Sequence, residues 1–172
     1  MYRIVKIGDV DVPMLAMASV DIYYKNIFHE DPIKAQLSAD EGALVSCMMR
    51  MGYVMAKFAE LHDRKEMNKL NEDTYLDWLD GFYRADYLEA LADIRAAYEE
   101  QKAPTGTEKK KKRPIDREWN TALFILRAYQ IGLKISDLDC LEYGAVVDLM
   151  IEASNDNCEY RQLATQEDFD RF

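Results

Sequence analysis

The side chains that most invite a chemical reading are two histidines beside carboxylates, three cysteines and a large set of acids. His29-Glu30-Asp31 and His62-Asp63 look like pieces of a metal site. Neighbours on a helix point about 100° apart, so residues that follow one another do not converge on one ion. Both histidines instead fall where helices are expected to end, and a cation is favoured there. Cys47, Cys140 and Cys158 have no CxxC spacing, which argues against a zinc site and against a disulfide framework. No GxxxxGK[ST], GxGxxG, GxSxG or HExxH run occurs. The acids are abundant, and nothing singles out a pair of them as a glycosidase-type couple. These residues predict no catalytic residue, no metal site, no cofactor and no enzymatic activity.

Binding is the more informative theme, and it rests on helices. Residues 40–62 are the strongest helix candidate. Ser46, Arg50, Tyr53, Lys57 and Glu60 recur at steps of four and three as one narrow polar stripe, and nearly everything else is apolar. Met48, Met49, Met51 and Met55 crowd two turns, with Phe58 one turn further on. Two readings follow. They are core methionines of a domain of ~100 residues, or part of a face kept for a partner, since Met is flexible and polarisable. Met48, Met51, Met55 and Phe58 are the candidate contact residues of the second reading.

The elements around that helix can be read in order. Tyr2–Ile7, Gly8-Asp9 and Val10–Pro13 predict a β-hairpin. Ser19 is placed to cap a helix over 20–29, and further helices are predicted over 73–81 and 85–101. Asp116 is placed to cap a helix in which Trp119, Ala122, Leu123, Leu126 and Gln130 share a face. Phe124 and Tyr129 lie off that stripe, so they are expected at the surface and join Trp119 as candidate aromatic anchors for a partner. Gly132 is a helix stop. Ser136 is then an N-cap, with Asp137 and Asp139 in the first turn of a helix to about residue 154.

Charge divides the chain. The net charge is −10. Residues 1–104 carry 12 basic and 19 acidic side chains, residues 105–113 five and one, and residues 114–172 five and twelve. The short basic run, with Lys109, Lys110, Lys111 and Lys112 between Pro104 and Pro114, reads as a spacer. The expected organisation is mainly α: a helical N-terminal domain with a short hairpin over 1–101, a Lys-rich linker over 102–115, and a small helical C-terminal domain with an acidic tail over 116–172. A sequence pI near 4.7 speaks against nucleic acid and acidic membrane surfaces as partners. No run approaches the ~20 apolar residues of a membrane helix. The first residues alternate charged with apolar side chains and lack a signal-peptide core, so a reducing cytoplasm is the expected compartment.

Several stretches carry a resemblance. Glu118-Trp119-Asn120, Ile131-Gly132-Leu133, Ser136-Asp137-Leu138-Asp139, Tyr143-Gly144-Ala145-Val146-Val147-Asp148-Leu149-Met150, Ser154-Asn155-Asp156 and above all Ala164-Thr165-Gln166-Glu167-Asp168-Phe169-Asp170 resemble the C-terminal part of tail assembly chaperones of long-tailed, siphovirus-like bacteriophages and prophages. Tyr2-Arg3-Ile4-Val5-Lys6-Ile7-Gly8 and Ile27-Phe28-His29-Glu30-Asp31 are similar to the N-terminal part. The resemblance implies a long form made by programmed ribosomal frameshifting, with Lys109–Lys112 at the junction, beside a short form holding only the N-terminal domain. It implies that residues 1–104 hold the tape measure protein and residues 114–172 the major tail tube protein, with the short form as a further partner. Such a protein works in the host bacterial cytoplasm and is absent from the mature virion. The alternative is a stable structural or adaptor subunit of the tail.

Overall fold

The computed structural model describes residues 2–37, 40–61, 63–100 and 118–155. The fold is mainly helical with one short N-terminal hairpin, as the sequence predicts. The lysine run and the rest of residues 102–115, with His62, Asp116, Cys158 and everything after Asn155, lie outside the described residues.

β1 (Tyr2–Ile7) and β2 (Val10–Leu15) pair antiparallel with Val5 opposite Val12. Gly8 makes the turn at φ +59°, a conformation that favours glycine. Alternation buries Val5, Ile7, Val12 and Met14 on one face and leaves Tyr2 and Ile4 exposed on the other. Under the buried face runs α3 (Glu41–Glu60), the long helix the sequence singles out, started by the Asp40 carboxylate accepting from the Gly42 N–H at 2.9 Å. α1 (Val20–Phe28), α2 (Pro32–Gln36) and α7 (Leu91–Glu100) pack on its other sides. Gly52 lets this happen: a Cβ there would lie 2.7 Å from the Tyr87 hydroxyl and 3.2 Å from the Ile94 side chain. Tyr87 uses that hydroxyl to donate to the Met49 carbonyl at 2.8 Å.

Residues 85–101 are not one helix. α6 (Arg84–Glu89) ends at Ala90 and α7 restarts at once, so that Tyr87 and Ile94 both reach Gly52. Short α4 (Arg64–Met67) and α5 (Glu72–Leu79) close the first core, α5 with a capping box between Asn71 and Thr74.

After the undescribed residues come α8 (Thr121–Gln130), α9 (Ile135–Leu138) and α10 (Tyr143–Asn155). Asn120 caps α8, its side chain accepting from the Leu123 N–H at 2.9 Å. Gly132 takes φ +89° after α8, as a helix stop requires. The expected helix from Ser136 is corrected: Lys134 begins α9, with its N–H on the Asp137 carboxylate at 2.8 Å, and the chain breaks before Tyr143. The break frees carbonyls for α1. The Ala18 N–H donates to the Leu141 carbonyl at 2.8 Å and the Ser19 N–H to Leu138 at 3.2 Å. The same pull explains Ser19. It stands just before α1 but has helical backbone angles, and its hydroxyl caps nothing.

Two apolar clusters result. One surrounds α3. The other joins Phe124, Ala128, Leu138, Tyr143 and Val146 to Ala18 and Ile22. The C-terminal helices are therefore completed by α1, as a unit of about 40 residues needs.

Burial holds many tyrosines neutral. It raises the pKa of Tyr24, Tyr53, Tyr75, Tyr87 and Tyr98 above the usual 10, and pushes Tyr143 up to about 12. Above pH 10 the unfolded chain has lost tyrosine protons that the folded chain keeps, so stability falls as pH rises. The urea midpoint should be level below about pH 9 and drop between pH 10 and 12. A midpoint unchanged to pH 12 would contradict this burial.

Candidate partner-binding surface

The methionine face is core. Met48, Met51, Met55 and Phe58 are all buried, Met51 and Met55 completely. Phe58 lies under the Arg64 guanidinium, 3.6 Å from its carbon, and 5.8 Å from the Tyr23 ring. The hairpin and α1, α2, α5 and α7 cover α3 so fully that no methionine strip faces solvent. The reading of these four residues as an open contact face is corrected on that ground. Two members of the polar stripe, Arg50 and Tyr53, are tied into the fold, while Ser46 and Glu60 stay exposed. The Tyr53 and Thr74 hydroxyls lie 2.7 Å apart, and Arg50 reaches Glu30 at 2.9 Å and Glu72 at 3.5 Å while lying over Phe28.

His29-Glu30-Asp31 proves to be a structural junction. His29 ends α1 in the left-handed region at φ 55°, with its N–H on the Lys25 carbonyl. That turn points Glu30 at Arg50 and at the Tyr24 hydroxyl, which donates to it at 3.2 Å. Asp31 caps α2, accepting from the N–H groups of Ile33 at 3.1 Å and Lys34 at 3.4 Å. The same carboxylate accepts from the N–H of Thr121 at 3.2 Å and from its hydroxyl at 3.1 Å. Lys25 stands 3.5 Å away. One side chain, 11% exposed, thus serves the first turns of two helices 90 residues apart. Asp31-Pro32 signals a helix start in the sequence, an N-cap followed by Pro at N1. Nothing there signals the partner in α8.

The C-terminal aromatics divide differently from expectation. Phe124 is fully buried, stacked on Tyr143 with centroids 4.5 Å apart and planes 12° apart. Trp119 is half-buried and donates from Nε1 to the Tyr143 hydroxyl at 2.8 Å. Phe124 as an exposed anchor is therefore corrected. α8 turns Thr121, Phe124 and Ala128 inward and presents Ala122, Leu126 and Tyr129 to solvent. Thr121 decides the choice, because its hydroxyl and N–H go to Asp31. Tyr129 is 72% exposed, as expected, and Leu126 is exposed beside it. Ala122, Leu126 and Tyr129, at steps of four and three, form an apolar strip. It runs into a shallow depression lined by Glu118, Asn120, Ala122, Leu123 and Leu126. Half of the sequence stripe is thus real, but it faces outward.

Among the described residues no group of three His, Cys, Asp or Glu side chains is placed to hold a metal ion, and no helix is long and apolar enough to cross a membrane. No protein-family model, curated protein or solved structure matches this chain.

The inward and outward aromatics of α8 should respond oppositely. Phe124→Ala should destabilise the chain by about 3–5 kcal/mol, through lost burial and a cavity. Tyr129→Ala should change stability by less than about 0.5 kcal/mol, as exposed substitutions do. Urea unfolding of the two variants checks this, and similar losses at both positions would contradict the orientation of α8.

Proposed function

We propose that this chain is a non-enzymatic assembly chaperone of the kind its sequence resembles. It keeps the tape measure protein soluble and brings major tail tube subunits to it in the host bacterial cytoplasm, then departs before the tail is complete. The observation that carries the reading is the Ala122–Leu126–Tyr129 strip. An apolar strip on the solvent side of a short helix, in a chain of charge −10, suits contact with a protein partner. Tyr129 offers a large side chain with a polar tip, the type found at such contacts. We assign the strip to the tube protein.

The tape measure contact is assigned to the open face of the hairpin. With the methionines buried, Tyr2 and Ile4 are two exposed apolar side chains that share the open face of a sheet whose other face is packed. The negative charge keeps neighbouring copies apart on a shared filament and aids their later release.

Co-purification of the full chain with each partner tests the assignment. Leu126→Ala with Tyr129→Ala should weaken tube-protein capture by roughly 1–3 kcal/mol and leave the tape measure protein soluble. Ile4→Ser should send tape measure protein to the pellet while tube-protein capture persists. Equal recovery of both partners with every variant, or the chain as a lasting component of purified mature tails, would overturn the proposal.

A further inference from the structure

We propose that residues 118–155 form a strap that opens as a unit of its own, with Asp31 as its latch and the outer side of α1 as the surface it uncovers. The apolar side chains of the α3 core all belong to residues 5–98, so that core does not need the strap to be complete. The strap's own cluster is small, and its two contributions from outside are Ala18 and Ile22. Polar ties hold the rest. Thr121 meets Asp31, the Ala18 and Ser19 N–H groups reach Leu141 and Leu138, and Lys34 meets Glu118 at 3.1 Å. Tyr23 lies beside the Asp139 carboxylate. The Lys34–Glu118 pair is solvent-exposed and contributes little. The Asp31–Thr121 contact is shielded and charge-assisted, so it outweighs the exposed Lys34–Glu118 pair.

Contiguous elements with few apolar contacts to the rest of a fold open more readily than its core. Opening here parts Phe124, Leu138 and Val146 from Ile22 and Ala18. It leaves Ala18 and Ile22, at the start of α1, without their apolar cover and frees the Asp31 carboxylate from Thr121. The closed state is the one described above, and opening requires no partner. The device therefore stands whether or not the chaperone reading holds.

Hydrogen exchange of the full chain tests it. Amides of α8 and α10 should exchange through openings at least tenfold more frequent than those that release Met51–Met55 of α3. The Ala18 and Ser19 amides are the discriminating probes. They lie before α1 but their acceptors lie in the strap, so they should exchange at the strap's rate. Thr121→Val removes the hydroxyl and keeps the shape. Asp31→Asn keeps an acceptor for the α2 cap and removes the charge. Each should speed exchange in α8, α10, Ala18 and Ser19 about tenfold and speed Met51–Met55 by the same factor, since full opening also breaks the latch, so the gap between the two sets persists. A common rate for strap and α3, in the parent chain and in each variant, would show one cooperative unit and overturn the strap. Separate rates that neither substitution alters would overturn the latch.

Discussion

The structure depends on one constraint: a single carboxylate satisfies the orphan N–H groups at the start of two helices. A helix leaves its first N–H groups without intrahelical partners, and burying them unpaired is costly. α2 and α8 both begin against Asp31. Their starting points in space are fixed together, and with them the side of α8 that faces inward. The left-handed His29 aims the carboxylate, and Pro32 sets the first turn of α2. The neighbouring Glu30 ties the same turn to Arg50, and through it to α3 and α5.

Three of the buried polar side chains, Ser19, Asp21 and Thr121, lie at α1 or at the start of α8. Among the described residues the fourth is Asn155, at the end of α10. Tyr98 donates its hydroxyl to Asp21 and accepts from Gln36. An apolar seam would tolerate sliding. The paired groups, Thr121 on Asp31 and Asp21 on Tyr98, specify one register, because each loses its partner in a medium of low dielectric when displaced, whereas the Ser19 hydroxyl and the Asn155 Oδ1 have no hydrogen-bond partner among the described residues. The α3 core is built otherwise, from methionines, tyrosines and a glycine that admits close approach, and volume decides the fit there.

What the sequence reveals follows this difference. The hairpin, α1, α3 and the Gly132 stop are local features, written in alternation, helical spacing and turn chemistry within a dozen residues. The inward side of α8 is not local. Ala122, Leu123, Phe124, Ile125, Leu126, Ala128 and Tyr129 are apolar on every side, so periodicity chooses no face. The choice is made by Thr121 through a residue 90 positions earlier. The break before Tyr143 is likewise set from outside, by Ala18 and Ser19 taking carbonyls that a continuous helix would keep. The methionines were legible as helical and apolar, and the core reading is the one the structure bears out, but spacing could not choose it over a contact face because it does not reveal that a hairpin and four helices close around them. Exposure was right for Tyr129 and wrong for Phe124 for the same reason.

The central claim is that Asp31 and Thr121 are energetically coupled. A double-mutant cycle with Asp31→Asn, Thr121→Val and the pair, read by urea unfolding of the full chain, measures it directly. The structure predicts a coupling of about 1–2 kcal/mol, with the double variant less damaged than the sum of its parts. Losses that add to within about 0.3–0.5 kcal/mol would mean that the two side chains act independently, and that α8 is set in place by something else.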